Sequence, residues 1–193
     1  TMTAKIKLNA ASGGGSVSIQ APSSSSNNRV IALPDIADGN LLTTSNSQVV
    51  HATATSQTSQ ASAVTSFADT GLTASITPST TSSRILVTGY ISFFATTESG
   101  QNGNMEWNFA ICDGSNNILD GTTASTEGYR NNEQYSVGGK HPINFLHSPS
   151  TISAVTYKIR MNARNSNNSM TLYCQRNGSG NTISRITLME VAG

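Results

Sequence analysis

Short runs in which apolar and polar residues alternate with period two dominate the chain, and no window of helical length carries a clean 3.6-residue period. "RILVTGYISFFAT" puts Ile85, Val87, Gly89, Ile91 and Phe93 on one face. "MEWNFAIC" sets Met105, Trp107, Phe109 and Ile111 against Glu106 and Asn108. "AVTYKIRMNAR" sets Val155, Tyr157, Ile159 and Met161 against Lys158 and Arg160. "SMTLYCQR" aligns Met170, Leu172 and Cys174, and "RITLMEV" sets Ile186 and Leu188 against Thr187 and Met189. Each run predicts a strand with one buried and one wet face. The separators Asp113-Gly114, Asp120-Gly121, Gly138-Gly139 and Asn177-Gly178 predict tight reversals. Strands at this spacing predict an all-β, jelly-roll-like sandwich head over residues 63–193.

The first part of the chain alternates too, but with little to bury. Ile6 and Leu8 alternate with Lys5 and Lys7, and beyond Gly13-Gly14-Gly15, Val17 and Ile19 alternate with Ser16, Ser18 and Gln20. "RVIALP" predicts a third short strand. So few apolar side chains cannot offset the ordering entropy of Lys5–Thr44, roughly 1–2 kcal/mol per residue. Identical chains could pool their apolar faces around an axis, or the segment could lie on a partner. Residues 1–46 are therefore expected to be a β stem or docking segment. "SNSQVVHATATSQTSQAS" contains no charged residue and predicts an extended connector over 47–62, partly strand-like through "VVHATAT".

Composition sharpens this picture. Apolar residues are 36% and charged residues 11%, with Ser, Thr, Asn and Gly making up the difference. Disorder pairs low hydrophobicity with high net charge, whereas the net charge here is +1. Lys and Arg are scattered, which argues against a nucleic-acid partner. No stretch approaches the ~20 apolar residues of a membrane helix. The start, TMTAKIKLNAA, lacks the apolar core of a secretory signal. Cys112 and Cys174 each end an apolar alternation, as a strand-to-strand disulfide or as two buried thiols; without an export signal the thiols are expected.

Motif by motif, the spacings speak against catalysis. "DGSNN" offers Asp113, Ser115 and Asn117 as calcium-loop positions, but Ile118 stands where the loop needs Gly and Ala124 where it needs Glu. A hairpin turn is the expectation there. His51, His141 and His147 lack metal-ligand spacing, and only His141 and His147 fall in one predicted loop region. There is no Gly-x-Ser-x-Gly elbow, "SGGGS" lacks the Lys of a phosphate loop, and no pair of the 10 acids stands out as a glycosidase dyad. Asn167-Asn168-Ser169 and Asn177-Gly178-Ser179 match the glycosylation sequon, though turn chemistry accounts for both. No catalytic residue, metal or cofactor is expected. The least regular part of the head, "STEGYRNNEQYSVGGKH", carries Tyr129, Arg130, Asn131, Asn132, Glu133, Gln134, Tyr135 and His141. Aromatic and amide groups suit stacking on, and hydrogen bonding to, sugars or protein surfaces, so these residues are the candidate ligand contacts.

Two stretches carry a family resemblance. "LNAASGGGSVSIQAPSSSSNNRVIALPDIADGNLLTT" resembles a module recurrent in tail-fibre and other virion proteins of cyanophages and other marine phages. "SFADTGLTASITPSTTSSRILVTGYISF", with "FLHSPSTISAVTYKIRM" and "ISRITLMEV", resembles the head domain that follows such modules. His147 departs from the pattern, which has an acid before Ser148-Pro149. The resemblance implies a phage structural protein assembled in the bacterial cytoplasm: a homotrimer docked to other virion proteins through residues before Pro34 and after Gly39. Its head would attach to a host surface glycan or protein. A capsid decoration or head-fibre protein is the alternative, and the short chain without a β-helix repeat weighs against a polysaccharide depolymerase.

Overall fold

The computed structural model describes residues 5–9, 12–14, 16–20, 48–61, 66–97, 105–126, 134–164, 170–177 and 182–191, at 5–8, 17–20 and 122–126 through the backbone alone. The chain divides into two compact units, Thr1–Asn40 and Leu41–Gly193.

In the first unit, β1 (Lys5–Asn9) pairs antiparallel with β2 (Ser16–Gln20), with Lys5 opposite Gln20 and Asn9 opposite Ser16. The connection passes through Gly13 and Gly14 at φ 85° and 69°, a region that glycine enters without steric cost. The strand expected at "RVIALP" and the docking residues around Pro34 and Gly39 lie outside the described residues.

The second unit is an all-β sandwich of two antiparallel sheets. Its strands are β3 (Val49–Ala54), β4 (Thr58–Ala61), β5 (Ala68–Ile76), β6 (Arg84–Thr97) and β7 (Met105–Asp113). They continue as β8 (Ile118–Thr126), β9 (Ser136–His147), β10 (Val155–Ala163), β11 (Met170–Cys174) and β12 (Ser184–Val191). One sheet has four strands in the order β5-β10-β7-β8. The other has six and is built on the long β6: β9 runs along one edge, β12 and β11 follow each other along the opposite edge, and β3 and β4 flank those two.

The core lies between the sheets and uses the faces that the alternation predicts. Ile85, Val87 and Ile91 from β6 meet Trp107, Phe109, Tyr157, Ile159 and Met161 from the four-stranded sheet, with Leu172, Ile186 and Leu188 beside them. Gly89, at φ 154°, allows β12 to approach: a Cβ there would stand 2.1 Å from the Arg185 carbonyl oxygen. Asp113 closes the β7–β8 turn, its Oδ1 accepting from the Ser115 and Asn117 amides at 2.9 and 2.8 Å.

The structure adds to one expectation and corrects two. The stretch expected as an extended connector over 47–62, strand-like through "VVHATAT", holds β3 there and also β4, flanking strands of the six-stranded sheet, because pairing with β12 and β11 supplies the order that its sparse apolar content does not. Gly138-Gly139 lies within β9: a Cβ on Gly138 would meet the Phe94 ring at 3.0 Å, so this glycine makes room for a ring, whereas a Cβ on Gly139 would make only ordinary contact with Phe93 at 3.6 Å. Asp120-Gly121 lies within β8, just past a register irregularity at Ile111/Cys112 that absorbs the bend.

Candidate functional site

Tyr129, Arg130, Asn131, Asn132 and Glu133 lie outside the described residues. Gln134 is exposed, and Tyr135 is half-buried, its backbone N–H donating to Thr97 Oγ1 at 3.1 Å. His141 and His147, expected in a loop, are on β9, on its core-facing side. Six residues of strand separate Tyr135 from His141, about 20 Å. The structure therefore does not bring these two together on one small ligand.

His141 does enter a cleft. The edge strands β8 and β9 of the two sheets leave a shallow opening with a cavity volume of only about 20 Å³, lined by Phe109, Ile111, Asp120, His141, Asn144 and Ile159 among others. The His141 ring lies 5.1 Å from that of Phe109, and burial lowers its pKa, which favours neutral imidazole with one donor and one acceptor nitrogen. Asp120 adds a carboxylate to the lining, while Asn144, whose side chain belongs to the outer face, borders it. Asp120 was missed because "DG" is a turn signal, and Phe109 because it carries only the mark of a core strand.

His147 makes a different contact. Its Nδ1 lies 2.9 Å from the Tyr157 hydroxyl, with the two rings edge to face and Phe145 stacked at 5.7 Å. Burial pushes the Tyr157 hydroxyl up to about 12 and lowers His147, so both stay neutral at neutral pH. Cys112 and Cys174 are buried free thiols, and burial raises both, Cys174 to about 12. Among the described residues no group of three or more His, Cys, Asp or Glu could hold a metal ion, and no helix is long and apolar enough to cross a membrane.

A second surface stands out on the outer face of the six-stranded sheet. Leu146, Leu86, Met189 and Val49 sit opposite one another in register across four strands. Leu146, Met189 and Val49 are 47%, 39% and 58% exposed. The next row on this face is polar: Asn144, Thr88, Thr187 and His51. An apolar row running from edge to edge of a wet face is a contact surface in waiting.

No family model matches the chain, and no curated protein matches it. Among solved structures, the VP2 subviral particle of infectious bursal disease virus is similar at 9% identity and a TM-score of 0.39, covering 76% of this chain and 33% of that one. The infectious bursal disease virus Gx strain is similar at 11% identity and a TM-score of 0.30, covering 93% of this chain and 42% of that one. The chain spans less than half the length of either, and likenesses at this level carry no argument for family or role.

Proposed function

We propose that the chain is a phage virion structural protein of the tail-fibre type, assembled as a homotrimer and attaching the particle to the host surface. The apolar row Leu146–Leu86–Met189–Val49 is the observation that carries assembly, because a face left in water would bear polar residues there. The virion setting rests on the sequence phrases shared with phage fibre modules. In this reading the N-terminal unit docks to other virion proteins, and the cleft at His141 with the stretch Tyr129–Tyr135 contacts a host glycan or protein. The chain does no catalysis.

Light scattering on the purified chain is expected to give three times 20.2 kDa. Met189→Asp, which places a charge in the row, is expected to yield a folded monomer. A wild-type chain that stays monomeric at micromolar concentration rejects assembly through this row. Imaging of intact particles with the protein labelled is expected to place it on the tail. Density on the capsid shell, with no binding of the isolated protein to host cells, would establish the decoration alternative instead.

A further inference from the structure

The outer face of the six-stranded sheet carries cations and no carboxylate among the described residues. Its outward side chains include Arg84, Lys140 and Arg185, and Arg176 follows β11 onto the same face. The ion pair among the described residues, Arg160 with Asp69, belongs to the other sheet. Two of these cations lie over aromatic rings and a third stands beside one. Lys140 Nζ stands 4.4 Å from the centre of the Tyr90 ring. The Arg176 guanidinium lies 3.8 Å from the centre of Phe94 and 5.6 Å from that of Tyr173. Arg185 is the direct cross-strand neighbour of Tyr90. Lys140 and Arg185 flank β6 from its two edges, so their backbones are about 12 Å apart.

We propose that this cluster of Lys140, Arg176 and Arg185 is a binding site for an acidic polysaccharide, one bearing carboxylate or phosphate along its length. Three cations on one face, spaced by more than a Debye length, suit charges repeated along a polymer better than one small anion. The rings hold Lys140 and Arg176 in place, so little side-chain order is lost there on binding. Around them stand hydroxyls: Thr53 opposite Arg185, Thr88 and Thr187 one row away, and Thr171 beside Tyr173. Hydroxyls donate and accept, as sugar hydroxyls do. A nucleic acid would instead need open ring faces for its bases, and Lys140 and Arg176 cover Tyr90 and Phe94.

The site rests on the host-facing reading only for its biological meaning, so polymer binding and cell binding are measured separately. Titration of the full chain with polygalacturonate at moderate salt is expected to show binding, while neutral dextran shows none. Lys140→Ser and Arg185→Ser are each expected to weaken binding about fivefold and to lower its salt dependence. Lys158→Ser, the same charge change on the opposite sheet, is expected to leave binding unchanged. Equal weakening by Lys158→Ser would reduce the effect to net charge and overturn the proposal. So would tighter binding of an oligothymidylate than of polygalacturonate, or no binding of polygalacturonate. Binding to the polymer without binding to host cells would keep the site and reject the host-facing reading.

Discussion

On the outer face of the four-stranded sheet Arg160 and Lys158 are answered within the fold. Arg160 Nε donates to Asp69 Oδ1 at 2.8 Å, and its Nη2 donates to the Phe67 carbonyl. Lys158 Nζ donates to Asn116 Oδ1 at 3.1 Å. Ala110 and Cys112, cross-strand neighbours of Arg160 and Lys158, are buried on this outward side because long stems lie over small residues. On the six-stranded sheet the same residue types stand against rings and hydroxyls. The acid of its strands, Glu190, points inward and holds the turn between β5 and β6. One face is closed by its own hydrogen bonds; the other is the more open, its cations over rings beside an exposed apolar row.

The sharpest way to break this comparison uses one glycine from each sheet. Gly89 lies where β12 crosses β6, and a Cβ would meet the Arg185 carbonyl at 2.1 Å. Gly89→Ala is expected to cost about 3 kcal/mol or more and to lower the melting temperature by about 10 °C. Gly71 sits at φ 78° on the edge strand β5 with nothing within 4 Å of its Cβ position. Gly71→Ala is expected to cost only the left-handed backbone strain, about 1 kcal/mol. Similar losses for the two would mean that β12 can move away from β6.

A smaller effect separates the two outer faces directly. Arg160→Met removes two charge-assisted hydrogen bonds, one of them to a carboxylate largely in water, and is expected to cost about 1–2 kcal/mol. Arg185→Ser has no such partner to lose and is expected to stay within about 0.5 kcal/mol of wild type. Urea unfolding of both variants tests this. A destabilisation by Arg185→Ser as large as that by Arg160→Met would show that the open face is also structural.

The closed parts of the molecule are the ones legible in the sequence. Ile85, Val87 and Ile91, or Tyr157, Ile159 and Met161, must alternate because each strand buries one face, and burial writes period two into the chain. Local signals failed wherever a distant residue decided the outcome. Gly138-Gly139 has the chemistry of a turn, yet it lies in a strand, and Phe94, more than 40 positions earlier, crowds the place a side chain on Gly138 would take. The strand Thr58–Ala61 is ordered by β11, which no pattern within it announces, whereas Val49–Ala54 carries a strand-like pattern of its own beside its pairing with β12. His141 was legible as a polar ring, but its cleft exists only where β8 and β9 part. Lys140, Arg176 and Arg185 come from three separate segments and gather only through the register of β9, β11 and β12 around β6. Glu190 is the plainest miss: it shares its parity with Ile186 and Leu188, and nothing nearby in sequence says why a carboxylate belongs there.

That carboxylate gives the subtlest test. Glu190 Oε1 accepts from the Ser79 amide at 2.6 Å, the Ser79 hydroxyl at 2.5 Å and the Ser83 hydroxyl at 2.7 Å. Burial pushes its pKa up, but the hydrogen bonds from Ser79 and Ser83 together outweigh burial, and the net shift is downward. A folded pKa below the unfolded one means that the carboxylate stabilises the fold fully above the unfolded value of 4.5. That stability is lost as pH falls through the folded value. Glu190→Gln is therefore expected to be less stable than wild type by about 1 kcal/mol at pH 7, with the gap shrinking as the pH drops below about 4. Ser83→Ala, which removes one of the three donors, should show a smaller gap with the same pH dependence. A gap between wild type and Glu190→Gln that stayed constant from pH 7 to pH 3 would mean that shape, not charge, holds the β5–β6 turn. The absence of acids from the open face would then have no link to where this one went.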